Sequence, residues 1–455
     1  TLVLKENCNV RINGHMFVNS VGDSRNAGYY GQDAGGFVGS ANGNLSIEDS
    51  SNIIMNISGG KTSIVANVEH AGGLAGSVVG TVSMNMDDAT GYANFISAVG
   101  DGSLEVTAGS VDGVTAGGLF GKIDNYSNTS VNITRSAVFG DITVSSNANA
   151  GVAGGLIGQI RGNMNTHAVW GGTYYSNIRL CFASVRTVQS QAHAGGLIGY
   201  AWNGININNC YSSGRNDASG DSYTIHSRVA GGLLGHGEDI IALDSFSTCT
   251  VQSPDEASVC EGGFVGYAAY SDIRNCYTAG RIKTLSAAYI NAGTFAGALS
   301  DTQIVDGSDY YTQKDSPHGG VGNFDSSVIS VQRAEENSYP YVTTPDGLDY
   351  HYDASLTTGY PLRTVCHYTD VYNILGAGDD VTYTFIGDWP NPNGVNNRRR
   401  MAMLAEDGET DPVSDEVESP NGQKAAENHG DQGENPADPT SPSDPALPVI
   451  RLFLS

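Results

Sequence analysis

Seven cysteines are the side chains of this sequence with the most obvious capacity for chemistry, as metal ligands, nucleophiles or disulfide partners. They are Cys8, Cys181, Cys210, Cys249, Cys260, Cys276 and Cys366. Because their number is odd, their spacing irregular and no Cys-x-x-Cys pair occurs, neither a disulfide framework nor a zinc site is indicated. We interpret them as buried thiols that behave as small apolar residues. The spacing leaves one alternative open, a short loop closed by Cys249 and Cys260.

The common catalytic and metal-binding motifs are absent from the sequence. It contains no HExxH segment of a zinc peptidase, no GxSxG elbow of a hydrolase and no calcium-binding nonapeptide of the G-G-x-G-x-D type. The acidic pairs Asp87-Asp88 and Asp379-Asp380 are isolated, as is typical of solvated turns. We therefore predict no catalytic, cofactor-binding or metal-binding residues and no cofactor, and we expect a protein that is not an enzyme.

Composition narrows the class of partner. The chain has 455 residues, of which 60 are glycine and only 15% are charged, and its net charge is −26. Nucleic-acid binding needs clustered Lys and Arg, so the charge argues against a nucleic-acid partner and against docking on anionic lipid. No run approaches the roughly 18 apolar residues of a membrane span. Hydrophobic residues make up 39% of the chain, which is enough for a sizeable core.

A hexapeptide that occurs in eight copies along the sequence predicts the structural elements of the chain. Its copies are Ala34–Gly39, Ala71–Gly76, Ala116–Gly121, Ala153–Gly158, Ala194–Gly199, Ala230–Gly235, Glu261–Gly266 and, in degenerate form, Ala292–Gly297. Self-similarity at intervals of 31 to 45 residues is the signature of a solenoid or array. The largest interval, between Gly72 and Gly117, predicts an insertion or partial coil at about residues 77–115.

The segments between the hexapeptides identify the kind of solenoid. Val82–Met84, Val131–Thr134 and Ile205–Asn208 alternate apolar and polar residues with period two, which indicates half-buried strands. No run shows a helical period over ten residues. The sequence therefore predicts a right-handed parallel β-solenoid of about eight coils, a stiff rod. The large fourth residue of each hexapeptide should point inward, and the glycines should allow close approach and positive φ at corners.

The hexapeptide resembles the GLUG motif, the G-G-L-(V/I)-G repeat of bacterial surface proteins. The second half of that repeat resembles N-C-Y-x-x-G, which occurs at Asn209–Gly214 and Asn275–Gly280. Such repeats are similar to those of adhesins and of segments beside the catalytic domains of large secreted peptidases. The resemblance implies an extracellular β-solenoid, secreted or attached to the cell surface and bacterial, but it implies no activity.

Two short segments are similar to signatures of right-handed β-helix polygalacturonases. They are Gly235-His236-Gly237 and Arg281-Ile282-Lys283. In such enzymes paired carboxylates act as acid and base on the glycosidic bond, while the histidine and the basic residues hold the sugar acid. The Asn-Thr-Asp signature expected before the histidine is missing, and the repeat already accounts for both segments. We interpret the match as coincidence and keep a polysaccharide-acting β-helical enzyme as the alternative function.

Four regions follow from these patterns. Residues 1–33 are predicted as a first coil or cap, 34–305 as the GLUG-type solenoid, 306–400 as a Tyr-rich C-terminal cap and 401–455 as a flexible acidic tail of net charge −10. The tyrosines of the third region can alternatively form a sugar-stacking surface. The last segment, Pro448–Ser455, is either the start of a downstream anchor or domain, or a donor strand for a neighbouring molecule.

The sequence thus predicts a non-enzymatic extracellular structural or adhesive protein, such as a surface stalk, adhesin or fibre subunit. Its expected partners are other copies of itself, other surface proteins, or host or matrix glycans. A third reading is a non-catalytic module of a larger secreted peptidase or hydrolase, which agrees with a chain that begins at Thr1 after processing or excision.

Overall fold

The structure is a computed structural model, and it describes the greater part of residues 2–333 together with three short later strands. The described ranges are 2–4, 9–20, 32–47, 51–58, 60–84, 94–99, 101–109, 113–125, 129–163, 176–179, 181–208, 210–214, 224–243, 245–247, 249–254, 259–274, 276–278, 282–283, 291–304, 310–311, 320–324, 332–333, 342–343, 349–352 and 361–363. The predicted tail at 401–455 lies outside them. All regular structure in these ranges is β, so no described helix is long and apolar enough to span a membrane.

Three parallel sheets are formed by stacked coils of the chain. The narrowest, sheet C, contains one short strand from each of the eight hexapeptides, all paired in register. Its strands are Ala34–Gly35, Ala71–Gly72, Thr115–Gly117, Val152–Gly154, His193–Gly195, Val229–Gly231, Cys260–Gly262 and Ala292–Gly293. The predicted parallel β-solenoid of about eight repeats is therefore confirmed, while its handedness stays a prediction.

Sheet A begins at the fifth residue of each hexapeptide and holds 16 strands, usually two from a coil. They are Leu2–Leu4, Val38–Asn42, Leu45–Ile47, Ala75–Val79, Val82–Met84, Phe120–Asp124, Val131–Thr134, Ile157–Arg161, Ser176–Arg179, Ile198–Asn208, Leu234–Leu243, Val265–Ala269, Asp272–Arg274, Ala296–Ser300, Gln303–Ile304 and Val321–Phe324. Two of them, Ile198–Asn208 and Leu234–Leu243, are single long strands that take the place of the two separate sheet A strands of other coils. Pairing of this sheet thus begins at the first described residues of the chain.

Sheet B closes each coil and holds 15 strands. They are Asn9–Asn13, Phe17–Ser20, Asn52–Ser58, Lys61–Ala66, Asn94–Val99, Ser103–Ala108, Ser136–Ser146, Phe182–Gln189, Tyr211–Gly214, Ile225–His226, Phe246–Ser247, Val251–Gln252, Tyr277–Thr278, Tyr310–Tyr311 and Gln332–Arg333. A separate antiparallel sheet is formed by Val342–Thr343, Asp349–Tyr352 and Pro361–Arg363. Coil pairing therefore continues past residue 305, as far as Gln332–Arg333.

The sheet B strands differ in length between the longest and the shortest coils. In the longest coil, residues 94–99 and 103–108 are two six-residue strands that pair on both sides, whereas the 31-residue coil after Gly231 has only Phe246–Ser247 and Val251–Gln252 at these places. Relative to the preceding coil, the chain is four residues longer between Met84, which pairs with Ile47, and Phe95, which pairs with Ile54. Residues 85–93 lie outside the described ranges, so the insertion expected at about residues 77–115 stays a prediction.

The core runs along the interior of the stacked coils. The fourth hexapeptide residue is buried in seven copies, Leu74, Leu119, Leu156, Leu197, Leu233, Phe264 and Phe295, and partly buried at Phe37. The rings of Phe264 and Phe295 stack with centroids 5.0 Å apart. The predicted inward stacking of this position is confirmed. Because each coil leaves its apolar residues uncovered until a neighbour adds its own, the stack is stabilised coil by coil.

The hexapeptide glycines serve close approach of the backbone, not a left-handed conformation. A Cβ on the second glycine would touch sheet B side chains: on Gly118 it would lie 2.7 Å from Cγ1 of Val138, and on Gly155 2.9 Å from Cβ of Ala183. Positive φ occurs at residues outside the hexapeptides, so that part of the prediction is wrong. Several of these residues lie within or between strands of sheet A, namely Gly43, Gly80, Asn203, Asp239, Tyr270 and Asp301.

A polar side chain marks the corner between sheets A and B. At this position Ser136, Cys181, Cys210, Ser245 and Cys276 each donate a hydrogen bond of 2.7–3.3 Å to the carbonyl oxygen two residues earlier. The thiols therefore act as small, buried weak donors, which explains the cysteine of the N-C-Y segments. All five cysteines in the described ranges are free and four are buried, so burial is confirmed for these four, and Cys249 and Cys260 form no disulfide.

Candidate functional site

The first sheet A strand of each coil presents two outward columns of side chains. Because side chains alternate along a strand, the first and third residues after each hexapeptide point away from the core. One column contains Gln159, Tyr200, His236 and Tyr267, which are paired in register. The second contains Arg161, Trp202 and Glu238. Both columns are only partly exposed, in contrast to the buried residues between them.

Aromatic rings from three coils meet in these columns. We call the set His193, Tyr200, Trp202, His236, Glu238 and Tyr267 the aromatic platform. Tyr200 lies at its centre, with its ring centroid 4.7 Å from Trp202 and 4.5 Å from His236. The ring of Tyr267 stands edge-on to His236 at 4.8 Å. Contacts of this length and angle are those that aromatic pairs favour, so the platform is a packed surface rather than a set of separate side chains.

His193 reaches the platform from sheet C. It precedes the Ala-Gly pair of its hexapeptide, and its ring lies 5.3 Å from Tyr200 and 4.9 Å from His236. Burial lowers the pKa of His193 to about 4. Burial, and then the neighbouring His193, lower the pKa of His236 to about 3. Both imidazoles are therefore neutral at pH 7, and the Nδ1 atoms of both are buried without a hydrogen-bond partner.

Glu238 supplies the acidic group of the platform. The Tyr200 hydroxyl donates a long hydrogen bond of 3.4 Å to its Oε2. Burial, followed by the charge of Glu238, raises the pKa of Tyr200 to about 12, so the phenol stays protonated and remains a donor. The carboxylate is only partly buried and retains acceptor capacity for other groups.

A polar rim continues the same two columns into the preceding coils. Asp124 lies 3.8 Å from the Arg161 guanidinium and 3.5 Å from the Lys122 ammonium. Arg161 pairs with Trp202 in register, so its guanidinium borders the indole column. Around the aromatic centre the surface therefore offers a guanidinium, an amide at Gln159 and a carboxylate at Glu238. Such a mixture of flat apolar rings and a few polar groups is suited to binding.

The residues that the sequence singled out for enzyme chemistry are not assembled. His236 lies in the platform on sheet A. Ile282 is instead buried and bridges Val251, whose carbonyl oxygen accepts a 2.9 Å hydrogen bond from the amide of Lys283, on the side of sheet B. The described residues of the two segments thus lie on different sheets, and Arg281 lies outside the described residues. In the described part of the chain no cluster of three His, Cys, Asp or Glu side chains could hold a metal ion.

The platform was not predicted from the sequence, although one signal for it exists. Tyr200, His236 and Tyr267 each follow directly the last glycine of a hexapeptide. Alignment of the copies therefore places them in one column. No such rule indicates that His193, from the strand before, joins them.

A second aromatic column lies on the outer face of sheet B. Its residues are buried and alternate with the core residues: Phe95, Phe139, Phe182, Tyr211 and Phe246. Successive centroids are 5.8, 6.0, 4.9 and 4.9 Å apart. Tyr211 is the tyrosine of one N-C-Y segment, so this half of the repeat supplies a corner thiol and a stacked ring. The burial of this column marks it as structural, in contrast to the partly exposed platform.

Comparison with known proteins agrees with this repeat. A family model, described as the GLUG motif, matches residues 190–217. No curated protein and no solved structure matches the chain. The matched segment spans the hexapeptide Ala194–Gly199 and the segment Asn209–Gly214, and its coil is paired in register with coils that carry the same hexapeptide. The chain therefore carries a GLUG motif in the coil that this model matches.

Proposed function

We propose that this chain is a non-enzymatic extracellular protein with a structural or adhesive role, attached to or released from the surface of a bacterium. The observation that carries the proposal is the uninterrupted register of eight hexapeptide strands in sheet C. Backbones this closely paired give a stiff scaffold, because bending the stack would break several ladders at once. Stiffness is what a surface stalk, adhesin or fibre subunit needs.

The polar ladders on the sides of the stack support a scaffold role. On sheet A the Asn177 amide donates to Asn132 at 3.0 Å, and Asn206 donates to Asn177 at 3.2 Å. Thr107 and Ser145 are similarly joined across sheet B at 3.1 Å. These side chains are hydrogen-bonded to one another from coil to coil. Such ladders of Asn, Ser and Thr reinforce the stack and favour a scaffold over an enzyme.

Several partners fit such a scaffold. Other copies of the chain, other surface proteins and glycans of a host or matrix remain the candidates. The net charge of −26 disfavours nucleic acid. Pairing through Pro448–Ser455 stays a prediction, since that segment lies outside the described residues.

The proposal is tested by determining whether the chain lies outside the cell. Antibodies raised against the full chain should label intact cells of the organism that produces it, or detect the chain in the culture medium. Brief treatment of intact cells with protease should remove the cell-associated signal, while a cytosolic marker stays intact. Labelling that appears only after lysis would overturn the proposal.

A polysaccharide-acting enzyme remains the second candidate because His236 lies in a partly exposed cluster of aromatic rings. Incubation of the full chain with polygalacturonate, followed by measurement of new reducing ends, decides between the two. We expect no release of reducing ends. Release that is abolished by His236→Ala would favour the enzyme.

A further inference from the structure

The aromatic platform has the chemistry of a sugar-binding surface. Tyr and Trp rings present an apolar face and a polar tip, and they lose little conformational freedom on binding. The face of a pyranose ring that carries axial C–H groups is apolar, and its hydroxyls project around the edge. The Trp202 indole and the Tyr267 ring are partly exposed and match such a face. The polar rim matches the hydroxyls.

The rim provides the geometry that hydroxyl recognition requires. Neighbouring hydroxyls of a sugar both donate and accept hydrogen bonds. Glu238 accepts at the carboxylate, Arg161 donates through a planar guanidinium, and Gln159 can do both. All three lie in the same two columns as Tyr200 and Trp202. The apolar and polar parts of the surface are therefore adjacent, as they are on a sugar.

The dimensions favour an oligosaccharide over a single sugar. Tyr200, His236 and Tyr267 belong to three successive coils, so the column spans about 10 Å at the usual strand spacing of ~4.8 Å. Gln159 and Arg161 extend it by a further coil. A surface of this length accommodates more than one pyranose ring along the stack.

The charges select a neutral glycan. The histidines at the centre of the platform are uncharged, and Glu238 would repel a uronic or sialic acid carboxylate. Arg161 stands close to Asp124, at 3.8 Å, so its positive charge is partly balanced. An acidic glycan would gain little electrostatic attraction at this surface, whereas a neutral glycan avoids the repulsion by Glu238.

We propose that the aromatic platform, His193, Tyr200, Trp202, His236, Glu238 and Tyr267, binds a neutral oligosaccharide by stacking on its pyranose faces. This inference rests on the proposed adhesive function and gives that function a ligand class. Its failure is distinguishable from failure of the proposed function, because surface location is measured on cells and glycan binding on the purified chain.

Binding is tested by titrating the full chain, in a calorimeter, with cellohexaose, xylohexaose, mannohexaose and, as the charged comparison, hexagalacturonate. We expect saturable binding of at least one neutral hexasaccharide. We also expect hexagalacturonate to bind at least tenfold more weakly than that sugar. If no neutral hexasaccharide binds, or if hexagalacturonate binds more tightly, the proposal is overturned.

Variants locate the site. Trp202→Ala and Tyr267→Ala should each weaken binding at least tenfold, while Trp202→Phe should keep most of it. Phe17→Ala is the matched control, because Phe17 is an exposed aromatic side chain on sheet B, 72% accessible and outside the platform. Far-ultraviolet circular dichroism verifies the fold of each variant. Binding that survives both alanine substitutions, or that falls equally in Phe17→Ala, would show that the platform is not the site.

Discussion

Gly155 packs so closely against Gly196 of the next coil that a Cβ atom on Gly155 would overlap the carbonyl oxygen of Gly196. The same Cβ would lie 2.9 Å from Cβ of Ala183 in sheet B. The Gly155 amide also donates a 3.2 Å hydrogen bond to the carbonyl oxygen of Gly195. The glycine is thus enclosed by backbone on one side and by core on the other, and neither can retreat without breaking a ladder.

Gly155→Ala is therefore expected to destabilise the solenoid by at least about 2 kcal/mol, because overpacking of a closely packed interior cannot be relieved locally. Gly39→Ala is the matched control. Gly39 closes the first hexapeptide, and the nearest atom to its Cβ would be the Asp33 oxygen at 3.2 Å, so we expect a cost within about 1 kcal/mol. Urea unfolding followed by circular dichroism measures both. Equal stability of the two variants would contradict this account of the repeat.

The outer column of sheet B should contribute strongly to stability. Phe139 is fully buried between Phe95 and Phe182, and Phe139→Ala is expected to cost about 3–5 kcal/mol through lost burial and the cavity left behind. The exposed Phe17 again serves as control, with Phe17→Ala changing the free energy of unfolding by less than about 0.5 kcal/mol. Chemical denaturation measures the difference. A small effect of Phe139→Ala would mean that this column is not packed in solution.

Stability should fall in acid because of the two platform histidines. Their folded pKa values, about 4 for His193 and about 3 for His236, lie below the ordinary value of 6.5, since burial disfavours the imidazolium. At pH values between each folded pKa and 6.5, the unfolded chain binds more protons than the folded chain. The stabilisation is thus present above pH ~6.5 and is lost as the pH falls towards 3–4, by up to about 1.4 kcal/mol per pH unit for each histidine.

Unfolding free energies measured from pH 7 to pH 4.5 check this expectation. The double variant His193→Gln/His236→Gln removes both titrating groups, so its stability should depend less steeply on pH than that of the unaltered chain. An identical slope for the two proteins would contradict the assigned burial of the imidazoles.

The buried thiols should be nearly inert in the folded chain. Burial raises the pKa of the Cys249 thiol to about 12 and that of Cys260 to about 11, and raises that of Cys181 well above its usual range. Thiolate, the reactive form, is therefore scarce at pH 8. A chain with Cys8→Ser and Cys366→Ser, which removes the two cysteines outside the described residues, should react slowly with Ellman's reagent. In guanidinium it should release five equivalents of thiol, whereas three would reveal a disulfide between Cys249 and Cys260.

Much of the fold could be predicted from the repeat alone. The hexapeptide spacing gave the number of coils, the period-two segments indicated strands, and the constant large residue at Leu156 and its counterparts identified the inward position. These inferences succeeded because a solenoid is built from contacts between neighbouring repeats, so one copy predicts the surroundings of the next. For the platform, alignment of the copies places Tyr200, His236 and Tyr267 in one column, but residue types differ from coil to coil and nothing in the repeat adds His193.

The prediction that failed depended on distances between coils. Positive φ was expected at the hexapeptide glycines because glycine permits it, yet Gly118 and Gly155 are required by the Val138 and Ala183 side chains of sheet B. The repeat records where glycine occurs, but it does not record which neighbouring atoms come close to it.

The sequence by itself therefore determined a GLUG-type parallel β-solenoid with its leucines and phenylalanines inward, because backbone pairing and apolar burial repeat with the motif. Only the tertiary structure decided that His193 of sheet C meets Tyr200 and His236 of sheet A, with ring centroids 5.3 and 4.9 Å away. The physical reason is that a corner of the coil turns side chains from two sheets towards each other. That convergence depends on the folded path of the backbone, which spacing along the chain does not specify.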